Sequence, residues 1–91
     1  MSGKDLREGW LLDLKAGSTV IICTEYGEHI RPVKRVTPTG YIITVGLNRL
    51  QEDKFDPQGK IVGDKFHKRH LEQATEERIY RINATNFSQI D

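Results

Sequence analysis

The sequence is poor in the features that most often disclose a function. It has one cysteine, Cys23, so no intramolecular disulfide can form and the fold has to be held by a single hydrophobic core. No apolar run approaches the roughly 18–20 residues that a membrane-spanning helix needs. The opening Met1 to Glu8 is too polar for a signal peptide, so the expected location is the cytoplasm, with no membrane partner. Charge of one sign is lacking too. Lys and Arg number 14 against 13 Asp and Glu, for a net charge of +1, and no whole-molecule field draws the chain to nucleic acid or anionic lipid. Any electrostatic recognition must come from local clustering.

Catalytic signatures are equally sparse. There is no Walker-type glycine loop, no Gly-x-Ser-x-Gly and no His-Glu-x-x-His. Cys23 and His29 would be a nucleophile and base only if the thiol were activated, and Cys23 lies in an apolar run that keeps a thiol neutral and inert. Asp53, Asp56 and Asp64 fall in turn-like segments and read as turn and solubility residues. No enzyme activity, small-molecule substrate or cofactor is expected. His67 and His70, with His29 as a third ligand, lack any recognised zinc spacing or second cysteine, so no metal site is expected either.

What the chain does have is a series of short β-branched runs. Thr19 to Glu25, His29 to Thr37 and Tyr41 to Val45 are separated by Tyr26-Gly27-Glu28 and Pro38-Thr39-Gly40, which predicts a β-meander. In the first run Val20, Ile22 and Thr24 share one face, and Ile21 and Cys23 the other. Both faces should therefore be covered, by a curled barrel or a flanking helix. Pro32 cannot donate to a β-ladder, and Ile30, Val33 and Val36 break period two, so the second strand should be bulged and bent. Asp56-Pro57-Gln58-Gly59 predicts a type I turn in a further hairpin.

Leu6, Trp10, Leu11 and Leu14 fall on one helical face ending near Gly17, which predicts a short N-terminal helix. Thr75-Glu76-Glu77 caps a C-terminal helix anchored by Ile79 and Ile82. Asn83-Ala84-Thr85 fits the glycosylation pattern but reads as the end of that helix. The expected core is Val20, Ile22, Val33, Val36, Ile43, Phe55 and Phe66, with Leu47 and Leu50 reaching it from the following loop.

Two segments gather positive charge: Arg31, Lys34 and Arg35 on the bent strand, and Lys65, Lys68 and Arg69 beside the histidines. The three charges of the first segment converge only if the bulge turns the strand, and otherwise serve to guard a sheet edge. If the segments act together they offer phosphate contacts, with Tyr26 and Tyr41 near turns to stack bases. Trp10 is either a lid over the core or a partner contact.

Leu14-Lys15-Ala16-Gly17-Ser18-Thr19-Val20-Ile21-Ile22, then Val33-Lys34-Arg35-Val36 and Tyr41-Ile42-Ile43-Thr44-Val45, resemble SH3-like barrels of the KOW and Tudor type. The whole chain, through Lys54-Phe55-Asp56, Gly59, Val62-Gly63-Asp64-Lys65 and Leu71-Glu72, also resembles small proteins of bacterial phages and prophages, a likeness that brings no function with it. KOW domains contact RNA or ribosomal and transcription proteins, and Tudor domains hold methylated side chains in an aromatic cage for which this chain has too few clustered aromatics. The resemblance implies a binding module. The expectation is thus a mainly β protein: one domain over residues 1–91, with an SH3-like bent-sheet barrel over about 14–74, a C-terminal helix over about 75–84 and a frayed tail over 85–91. Its expected function is nucleic-acid binding through Arg31, Lys34, Arg35, Lys65, Lys68 and Arg69. The alternative is a protein-interaction module, such as a phage-encoded modulator of a host protein.

Overall fold

A computed structural model describes residues 5–48, 50–63 and 68–88. Five antiparallel strands, β1 (Thr19–Thr24), β2 (Gly27–Val36), β3 (Ile42–Val45), β4 (Glu52–Phe55) and β5 (His70–Gln73), form one curled half-barrel sheet in the order β4-β3-β2-β1-β5. A helix, α1 (Glu76–Ser88), follows at the C-terminus. The expected mainly β class is therefore the observed one.

The bend in β2 makes the curl possible. Gly27 to Pro32 pair with β1, whereas Val33 to Val36 pair with β3, and the register slips between Val33 and Arg35. Lys34 is the extra residue of this bulge. Pro32 sits where β2 leaves one partner for the other, at a point where its missing N–H costs least. At the far side the segment after the Asp56 turn links the two edge strands: Phe55 bridges to Ile61 and Lys60 bridges to His70. The Asp56 carboxylate accepts the N–H groups of Gln58 and Lys60, and Gly59 N–H closes the turn on Asp56 C=O at 2.8 Å.

The concave face holds the core: Leu11, Leu14, Val20, Ile22, Val33, Ile42, Phe55 and Leu71, with Trp10, Val36, Leu47 and Ile61 partly buried against it. Ile43 does not belong to this set. It is buried, but it pairs with Arg35 and Lys54 on the opposite face, and Ile42 takes the inward position because the bulge shifts the pleat by one. Leu50 does not reach the core either. The loop closes through Gly46 N–H to Gln51 C=O and Gln51 N–H to Asn48 C=O, which turns Leu50 out to 93% exposure. Phe66 lies outside the described residues.

The predicted N-terminal helix is only a 3-10 turn, Gly9–Asp13, and Leu6 is exposed. Gly9 has φ 61, a left-handed geometry that an α-helix running from Leu6 cannot contain. The chain from Asp5 to Arg7 lies instead as a strap on the β2–β3 turn, where Leu6 N–H meets Thr39 C=O. At the other end Thr75 caps α1, its hydroxyl accepting Arg78 N–H at 3.2 Å, and the helix continues past Ala84 to Ser88.

One polar group in the core lacks a partner. Thr44 is fully buried opposite Val33, and its hydroxyl forms no hydrogen bond among the described residues. An unsatisfied buried hydroxyl costs about 1–3 kcal/mol, and valine has nearly the same shape. Thr44→Val should therefore raise the unfolding free energy by about 1 kcal/mol in urea titration. A lowered midpoint would show that buried water satisfies the hydroxyl.

Candidate functional site

The β1–β2 hairpin ends in an exposed tip. Thr24 pairs with Gly27, leaving Glu25 and Tyr26 as a two-residue loop, and the Thr24 hydroxyl accepts Tyr26 N–H at 3.1 Å while donating to Gly27 C=O at 3.0 Å. These bonds hold the tip in shape and leave the Tyr26 ring 88% exposed. Two clefts flank it. One, of about 210 Å³ at the mouth of the curled sheet, is lined by Glu25, Tyr26, His29, Leu47, Lys68 and Arg69, with Thr24. The other, about 610 Å³, lies on the helix side between Tyr26, Glu28, Arg78, Arg81 and Ile82.

The basic residues do not form one patch. Arg31 turns toward the loop after β3, donating to the carbonyls of Gly46 at 3.2 Å and Ile30 at 2.8 Å, and so supports the backbone. Lys34 and Arg35 do converge, because the bulge brings both to the same side, but they converge on Glu52 at 3.1 and 3.5 Å. Arg69 pairs with Asp53 at 3.3 Å in a site where both side chains are largely buried. Lys68 stands exposed with no ion pair among the described residues. Lys65 and His67 lie outside the described residues.

The aromatics separate as well. Tyr41 is half-buried and lies under the Lys54 ammonium, 4.8 Å from its ring centroid, so it is engaged in a cation–π contact rather than offered for stacking. Trp10 packs partly on the core, which is the lid arrangement. His29, opposite Ile22, faces the mouth of the sheet, where burial first and then the Arg31 and Arg69 charges lower its proton affinity below the ordinary imidazole value.

Cys23 points to the opposite face, so the sheet itself separates it from His29. Its neighbours there are Glu28 and His70, the residues directly across from it on β2 and β5. The thiol donates to Glu72 Oε2 at 2.7 Å, and His70 Nε2 lies 3.1 Å from the same oxygen. Arg78 of α1 holds the other oxygen, Oε1, and bonds Glu28 at 2.9 Å through its second amino group. Arg78, and after it the Cys23 thiol, draw the Glu72 carboxyl down to about 2. Burial, and then the adjoining carboxylate, push the Cys23 thiol up to about 12, a value incompatible with a nucleophile.

Spacing arguments cannot find this cluster, since neither Glu72 nor Arg78 belongs to a motif in the sequence. The alternation His70-x-Glu72 on a strand was the one available signal, and it becomes meaningful only once Cys23 is placed opposite. No known family pattern, curated protein or solved structure matches the chain. Among the described residues no helix is long and apolar enough to cross a membrane.

Proposed function

We propose that the protein is a non-enzymatic binding module of SH3-like build that engages a protein partner through the tip of the β1–β2 hairpin. Tyr26 is the anchor. The observation that carries this reading is an almost fully exposed aromatic ring whose neighbouring cations, Lys68 apart, are already neutralised by carboxylates of the same chain. Arg69, Arg78 and Arg81 face Asp53, Glu72 with Glu28, and Glu77. A polyanion would have to displace those carboxylates, and each carboxylate left unpaired offsets the gain from the counterion its phosphate releases. A protein surface carrying both signs suits such a rim, and Tyr and Arg are the residue types that dominate interface energetics. The likeness to phage and prophage proteins suggests a bacterial host protein as the partner class.

Nucleic acid is the second reading, favoured by one observation: Tyr26, His29, Lys68 and Arg69 share the mouth cleft. That set would stack one or two bases of a single strand, with Lys68 as its one unpaired phosphate contact.

One comparison separates the two. Tagged wild type and Tyr26→Ala are used to capture partners from bacterial lysate, with and without nuclease. Nuclease-resistant recovery of one stoichiometric protein, reduced about 30-fold or more in Tyr26→Ala, is the expected result for a hot-spot loss of about 2 kcal/mol. Recovery that nuclease abolishes would overturn it in favour of nucleic acid. Titration of a single-stranded oligonucleotide should then give a log–log salt slope of about −0.7 for the one unpaired cation, Lys68, lost in Lys68→Glu.

A further inference from the structure

Cys23, His70 and Glu72 bring three different ligand atoms, Sγ, Nε2 and Oε2, within 4.8 Å of one another, on one face of two adjacent strands. Two of the separations, 2.7 and 3.1 Å, meet at the single oxygen Oε2. We propose that these residues form a binding site for a divalent transition-metal ion of the zinc type, held by thiolate, imidazole and carboxylate with solvent in the fourth position. A tetrahedral ion with bonds of about 2.0–2.3 Å needs ligand atoms about 3.3–3.6 Å apart. Of the present triangle, the two short sides at the Glu72 oxygen have to lengthen by less than about 1 Å and the third lies within 4.8 Å, while the strands carrying it are already in register.

Three further features suit an ion there. Arg78 occupies Glu72 Oε1 and leaves Oε2 for the metal, the kind of outer contact that orients a ligating carboxylate. Charge also balances. With the thiol protonated, Glu72 and Glu28 against Arg78 leave one net negative charge. Exchanging the thiol proton for a divalent cation, with the proton released to solvent, brings the group to neutrality. Access is available, because Cys23 is buried while the His70 side chain is 54% exposed. The mixed sulfur and nitrogen set excludes magnesium and calcium, which take all-oxygen sites.

The competing account is a hydrogen-bonded knot that merely ties α1 to β5. Cobalt(II) distinguishes them, since Cys23 is the one cysteine of the chain and any thiolate-to-cobalt band reports it. Reduced, chelator-treated full-length protein titrated with Co²⁺ should develop a near-ultraviolet charge-transfer band and tetrahedral visible bands at one ion per chain, both displaced by Zn²⁺. Cys23→Ser should abolish the charge-transfer band. His70→Gln, at a half-exposed position that tolerates change, should weaken binding at least 10-fold, as should Arg78→Gln by releasing Glu72. His29→Gln, on the other face, should leave it unchanged. A wild type that shows no charge-transfer band while folded by circular dichroism overturns the site. So does unaltered affinity in His70→Gln, which decides the matter even if Cys23→Ser does not fold.

Discussion

Phe55→Ala should lower the unfolding free energy by about 3–5 kcal/mol, a large part of the stability available to so small a domain. Phe55 is the largest of the fully buried side chains. It lies across from Ile42 on β3 and beside Ile61 on the segment that joins the two sheet edges. Removing the ring leaves a void between those elements, and the register of two ladders prevents them from closing on it. Ile43→Ala, on the opposite face, should cost less. Urea unfolding followed by circular dichroism measures both. A Phe55→Ala loss below about 1 kcal/mol, or a larger loss at Ile43, would mean that the core is not organised around the concave face.

Arg7→Ala should cost about 2–4 kcal/mol, since hydrogen bonds to a charged group contribute about 1.5–3 kcal/mol each. The guanidinium is buried to 9% exposure and donates to Leu11 C=O at 2.7 Å and Leu14 C=O at 2.8 Å. Its remaining N–H groups grip Asp5, whose carboxyl it holds below the usual carboxylate range. The strap and the 3-10 turn are thus fastened by one planar fork. Arg7→Lys should not rescue the loss, because a single ammonium cannot span the carboxylate and both carbonyls. Gly40 makes room for this arrangement: at φ 98, with Asp5 Oδ1 2.5 Å from where a Cβ would stand, no other residue fits without shifting the strap. Trp10, the only tryptophan, sits in the turn and reports it directly. Its emission in Arg7→Ala should shift to the red below the global unfolding midpoint. Emission and stability both unchanged would show that the strap contributes nothing.

How much of this was legible locally depended on the range of the interaction. The three runs of the meander, the bulged β2 at Pro32, the Asp56 turn and the Thr75 cap are all statements about backbone preference over two to six residues. Pattern alone therefore placed them, and it also placed Val20, Ile22, Val33 and Phe55 in the core. Alternation failed at the bulge. One added residue exchanged the faces of Ile42 and Ile43, and a period-two count carried across Lys34 assigns them the wrong way round.

The candidate site was decided almost wholly by tertiary structure. Composition shows how many cations a segment carries but not which carboxylates come to meet them. Glu52 and Asp53 lie 16 to 18 residues from the cations they neutralise; the β3–β4 pairing brings Glu52 to Lys34 and Arg35, and the segment through Ile61 and Val62 brings Arg69 to Asp53. Cys23 and Glu72 are 49 residues apart and become neighbours because β1 accepts β5 along the edge left free by β2. The sequence by itself determined the three strands of the meander, the Asp56 turn, the cap of the C-terminal helix and the absence of known catalytic motifs, because those depend on each residue's own conformational preferences and spacing, whereas β5 carried no such local signal. Only the tertiary structure decided which charges remain available, which ring stays exposed and which three ligand atoms converge, because electrostatics and coordination act through space over a few ångströms whatever the distance along the chain.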